Sequence, residues 1–153
     1  MHALILAAVL AAIPPQSSAQ ATRDIVVSVC LPYVVSGEIP SDGIARVRLS
    51  PRRGGDGPQD LQTFSGRHYV KLSVAGDVSE GSLRRVCEVQ ARSGGFAEAR
   101  DAVAEPLERA GFAPEPDEPE DWPVWTRDGV TATVHQNSGR ATIIRLSYAL
   151  LDD

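Results

Sequence analysis

The chain has 153 residues, a net charge of −5 and two cysteines. That length suits one domain with one core. Fourteen arginines stand against a single lysine, Lys71, and apart from Arg52-Arg53 and Arg84-Arg85 they are scattered singly. This argues against a nucleic-acid binder, which needs clustered positive charge. The abundance of Arg, Ala, Gly, Pro and Val is the usage of a GC-rich bacterial genome and carries no activity with it.

The first 21 residues read as a secretory signal peptide. Ala3 to Ile13 is an unbroken apolar run of 11 residues, closed by Pro14-Pro15 and followed by the small-residue junction Ala19-Gln20-Ala21. A bilayer-spanning helix needs about 20 apolar residues, so no transmembrane anchor is expected in the mature chain. Cleavage is expected after Ala21, leaving residues 22–153 as a single domain that is exported, periplasmic or secreted. Cys30 is too far from the apolar run, and follows the wrong residue, to be a lipid-modified N-terminus. In an oxidising compartment the simplest use of two cysteines is one disulfide, Cys30 to Cys87.

In the mature part, Ile25 to Val35 is apolar and β-branched but broken by Pro32 and fits a strand or a strand followed by a helical turn. Residues 36–50 are equally ambiguous, because Ala45, Val47 and Leu49 alternate while Ser41-Asp42 could cap a short helix. Residues 51–60 are rich in Pro, Gly, Arg and Asp and read as a mobile loop. Residues 69–75 and 83–92 then alternate as two pairing strands, with Val70, Leu72 and Val74 on one side of the first and Cys87, Val89 and Ala91 on one face of the second.

Phe96, Ala99, Val103, Leu107 and Ala110 form one apolar stripe of a helix. Gly111 ends it, Phe112 folds back on Leu107, and Pro106 disturbs the last turn. Residues 113–121, with five acids and three prolines, read as an extended solvated connector. Three strands follow, 122–127, 130–136 and 140–151, joined by the hairpin signal Asp128-Gly129 and by Asn137-Ser138-Gly139. The sum is an α+β domain: an antiparallel sheet of about five strands, ending in a three-stranded meander and covered on one face by the amphipathic helix.

No motif supplies a nucleophile beside a base. Ser65 near His68 is the closest approach, and Ser-Gly is ordinary loop chemistry. His68 and His135 fall on opposite faces, so no shared metal site, no cofactor and no catalytic residue is expected. His68 reads as a strand-end histidine with a backbone partner and His135 as a solvated one. The candidate partner-binding surface is the open sheet face carrying Tyr69, Lys71, His135 and Arg145, with Thr131, Thr133 and Ser147. Beside it stand Trp122 and Trp125, of which strand parity sends one inward and one to the surface. These features point to a small non-enzymatic binding or accessory module of the bacterial envelope whose partner is another envelope protein or peptide. The alternatives are a small hydrolase of envelope peptide or glycan, and a structural subunit pairing through an edge strand.

Overall fold

A computed structural model describes residues 16–52, 62–76, 79 and 81–151. The apolar run at 3–13 and most of the expected loop at 51–60 lie outside the described residues. The fold is α+β and two-layered, with eight antiparallel strands in place of the five expected. They are β1 (Ser50–Pro51), β2 (Gln62–Ser65), β3 (Tyr69–Ala75), β4 (Arg84–Ala91), β5 (Ala113–Pro114), β6 (Val124–Arg127), β7 (Val130–Gln136) and β8 (Thr142–Ala149). Their order across the sheet is β1-β2-β3-β4-β8-β7-β6-β5. Two four-stranded meanders, each preceded by helix, therefore meet where β4 pairs with β8 over eight residues, Arg84 opposite Ala149 through Ala91 opposite Thr142. The three added strands are short. β1 takes Ser50 and the first residue of the expected loop, Pro51, into a strand, and β5 does the same for the first two residues of the expected connector.

The ambiguous stretch from 25 to 50 is helical. Helix α1 (Ser18–Ile25) runs through a π-helical turn (Val26–Cys30) into α2 (Leu31–Ser36), and α3 (Ser41–Arg46) follows. The widened turn has a local cause. Pro32 has no N–H, and in a regular helix its ring would meet the Ser28 carbonyl. Instead the Leu31 N–H reaches back five residues to the Val26 carbonyl. The Ser28 carbonyl lies against Gly43 of α3, where a Cβ would stand 1.9 Å from the oxygen, so only glycine fits. Ser41-Asp42 does not cap α3, whose N-cap is Pro40.

Helix α4 (Phe96–Arg109) is the expected amphipathic helix, with Ala99, Val103, Pro106 and Leu107 buried. Its end follows the expected pattern: Gly111 is left-handed at φ +92°, its N–H donates to the Glu108 carbonyl, and the Phe112 N–H donates to that of Leu107. Those two bonds form a Schellman motif. Asp128 and Gly129 both take positive φ, as a two-residue hairpin with the twist of its strands requires.

The helices lie on one face of the sheet. Between the layers, Ile25, Val26, Val29 and Val34 from the first helical stretch meet Val103 and Leu107 of α4 and Leu72, Val89, Val134, Ile144 and Leu146 from the strands. At the centre of this interface Cys30 and Cys87 are bonded, both fully buried, with Cα atoms 5.2 Å apart. The bridge closes a loop of 57 residues, and restricting the unfolded chain that far is worth about 4 kcal/mol in the chain-entropy account. Replacing both cysteines with Ala is expected to lower unfolding free energy by about 2–4 kcal/mol without changing the far-UV spectrum. Chemical denaturation of oxidised wild type and variant measures it.

The expected cleavage junction falls inside α1. Ser17 caps the helix by accepting the Gln20 N–H, Ser18 joins its hydroxyl to that of Ser93, and Ala21 and Thr22 are buried. A chain beginning at Gln16 is therefore expected to melt several degrees higher than one beginning at Thr22, since the cap alone contributes about 1 kcal/mol. Thermal unfolding of the two chains side by side checks this.

Candidate functional site

With the helices on one side, the other side of the sheet is open, and strand register fixes what it displays. One row across β3, β4, β8 and β7 is Tyr69, Gln90, Ile143 and His135. The next is Lys71, Glu88, Arg145 and Thr133, and the third is Ser73, Val86, Ser147 and Thr131. Five of the six residues read from the sequence as a binding surface lie here. The sixth, Trp125, does not: it is only 4% exposed and packs in the core on the covered face, so it is removed from the candidate surface. Trp122, in the loop before β6 and not in the strand expected from residue 122, is 44% exposed.

Trp122 completes a cleft. Its indole lies flat on the imidazole of His135, with ring centres 3.9 Å apart and planes 9° from parallel. His135 is thus half-buried beneath an aromatic lid, not solvated as its sequence position suggests. Around this stack Arg84, Thr131, Thr133, Arg145 and Ser147 line a concavity of about 410 Å³. Arg84 was not among the sequence candidates, although alternation from Cys87 places it on this face. Its Nε donates to the Ser147 hydroxyl at 3.0 Å, which fixes the guanidinium and leaves its terminal nitrogens without a partner among the described residues. Arg145 Nε and His135 Nδ1 are both buried and without a hydrogen-bond partner there, an unfavourable state for polar atoms. The nearest carboxylate in the rows, Glu88, is engaged by Lys71 at 3.9 Å.

A second cationic cluster adjoins the first. The guanidinium groups of Arg52 and Arg92 each stand 4.8 Å from the centre of the Tyr69 ring, within cation–π range. Among the described residues the open face thus gathers Arg52, Lys71, Arg84, Arg92 and Arg145 against Glu88 and, at the far rim, Glu115, which accepts from Thr126. In a chain of net charge −5 that is a local reversal of sign.

His68 is elsewhere. It is fully buried between the start of α1 and the ends of β3 and β4, and both ring nitrogens are occupied. Nδ1 accepts the Arg92 backbone N–H at 3.1 Å; Nε2 lies 3.1 Å from the Ser18 carbonyl and from the Thr22 hydroxyl. Since Nδ1 accepts, Nε2 carries the proton and the ring is neutral. No nitrogen remains to activate Ser65. No group of three His, Cys, Asp or Glu side chains converges among the described residues.

Burial holds His68 below the usual histidine value of 6.5, reinforced by the charges of Arg67 and Arg92 and opposed by hydrogen bonding to Ser18. His135 is lowered by the same desolvation, with Glu88 opposing and Arg145 adding to it. For both, the unfolded state takes up its proton first, so their contribution to stability is complete above pH 6.5 and is lost as pH falls below it. Melting temperature is expected to decline from about pH 6.5 downward, before carboxylates titrate. Replacing both histidines with Gln should flatten that part of the profile; an unchanged slope would contradict it.

Comparison with protein-family models, with curated proteins and with solved structures finds no match to this chain.

Proposed function

We propose that this protein is a small exported binding module of the bacterial envelope, and that its ligand or partner sits on the open face of the sheet in the cleft bordered by Trp122. The observation that carries the reading is the cleft itself. A half-exposed indole, two arginines and three hydroxyl side chains converge on one concavity, and two buried polar atoms in its wall have no hydrogen-bond partner among the described residues. Such groups fix and orient a ligand. Export is supported by the signal-like N-terminus and by the buried Cys30–Cys87 bond, which is at home in an oxidising compartment. No described helix is long and apolar enough to cross a membrane. Pairing through a sheet edge gains little support, because both edges are strands of two residues containing proline, Pro51 and Pro114, which blunts them.

The test is affinity capture from an envelope extract with wild type, Trp122→Ala and Arg145→Ala, each first shown to be folded by its thermal transition. Wild type is expected to retain a ligand or protein that both variants lose by tenfold or more. Equal retention by all three would reject this face as the binding surface.

A further inference from the structure

We infer that the cleft takes an acidic saccharide, with its carboxylate at Arg84 and Arg145 and one face of its ring on Trp122. The inference rests on the reading of the open face as a binding surface and names the chemical class of its occupant.

Charge comes first. Among the described residues the acids concentrate on α4 and on residues 117–121, in the loop that leads to Trp122, whereas the open face of the strands carries five cations against Glu88 and Glu115. Both carboxylates are occupied, Glu88 by Lys71 and Glu115 by Thr126. An anion is therefore drawn to this face and not to the helical one. Within the face, the cleft offers the donors an oxyanion needs. Arg84 is held through Nε by Ser147, so its terminal nitrogens form a fixed fork, and such a fork matches the two oxygens of a carboxylate. Arg145 lies one row from Ser147 and two from Arg84, between Glu88 and Thr133 on the flanking strands, with its Nε buried and without a partner among the described residues.

The rest of the lining selects the body of the ligand. Stacking on His135 occupies one face of the Trp122 indole and leaves the opposite side, 44% exposed in total, as a flat apolar platform. A pyranose presents a patch of C–H groups on one face and hydroxyls around its rim, which suits an aromatic plane bordered by hydroxyls. Thr131, Thr133 and Ser147 supply those hydroxyls, each able to donate and to accept. The concavity, about 410 Å³, is in the size range of small-ligand sites. An acidic peptide is the less suitable occupant, because an extended peptide gains affinity through main-chain bonds at a free sheet edge. The cleft lies in the interior of the sheet, over β8 and β7, where the backbone groups already pair between strands.

The test uses a trisaccharide of galacturonic acid, the corresponding neutral trisaccharide of galactose, and hexaglutamate as the peptide of like charge. Trp125 is buried, so a change in tryptophan emission on titration reports mainly Trp122. The uronate is expected to bind and shift the emission, to weaken as ionic strength rises, and to bind at least tenfold more tightly than either comparison ligand. Arg84→Ala and Arg145→Ala should each weaken it tenfold or more, and Trp122→Phe should remove the emission change while retaining part of the affinity. Arg100→Ala, on α4, should leave binding unchanged. The comparison among the three ligands needs only wild type, so a variant that fails to fold does not affect it. Equal binding of uronate and hexaglutamate, or no binding of uronate, overturns the inference. If hexaglutamate binds preferentially and still requires Trp122, the saccharide is wrong while the binding surface stands; if every captured or titrated ligand ignores Trp122, Arg84 and Arg145, the surface itself is wrong.

Discussion

The pairing of β4 with β8 is the contact on which the rest of the molecule depends. Each meander alone is a four-stranded sheet with one apolar face. Joined along eight residues, the two present a continuous apolar surface on which the first helical stretch and α4 lie side by side. Cys87, Val89, Ile144 and Leu146, at the middle of this seam, are fully buried. The disulfide acts at the same place, because Cys87 is the seam residue to which the helical layer is bonded. Both halves are thereby tied to one point, and the helices have no comparable reason to cross to the other face.

That one-sidedness creates the candidate site. Sheet register then sets every second residue of β3, β4, β8 and β7 outward, and the identities at those positions are Tyr, Lys, Arg, Glu, Thr, His and Ser rather than the aliphatic side chains of the covered face. Two of the larger apolar residues on the open face, Val86 and Ile143, are themselves buried, so the exposed chemistry is mainly polar and cationic. Where long side chains stand around such a floor, a shallow cleft follows from geometry, and its charge follows from which strands neighbour one another.

Much of this was legible in the sequence, for reasons that can be assigned residue by residue. Alternation across 69–75 and 84–91, the 3–4 spacing of Ala99, Val103 and Leu107, the Gly111-Phe112 end and the Asp128-Gly129 turn are local signals, each strong enough to survive folding. The first helical stretch was not legible, because Ile25, Val26, Val27 and Val29 favour strands and Pro32 favours a break. Burial against the sheet overrides the β-branched preference, and the π-helical turn absorbs the proline. β1 and β5 were hidden for the opposite reason: two residues with a proline carry no alternation to read, and they pair only because β2 and β6 offer an edge. In the site, parity placed Trp125 inward and His135 and Arg145 outward, whereas Trp122 lies in the loop before β6, outside the strand expected from residue 122. It could not show that Trp122 covers His135, since the two are brought together by a loop.

That loop is the part of the site whose behaviour sequence composition describes least well. Residues 115–121 are exposed, acidic and proline-rich, as a solvated connector should be, yet they do not leave the domain. The Glu115 N–H donates to the Val124 carbonyl at 2.8 Å and the Trp122 N–H to that of Pro119 at 3.0 Å, so the segment returns to its own base. Pro116 and Pro119 restrict the backbone between those closures, and β5 and β6 anchor its two ends to the sheet. Trp122 is thus delivered to the face of β7 by a short stiff arch, which lowers the entropy lost when the indole stacks on His135. The acids of the arch are exposed, while the aromatic ring at its foot stacks on His135 in the cationic face. The composition that would make a free linker in isolation here sets the position of the one exposed tryptophan, and with it the wall of the cleft.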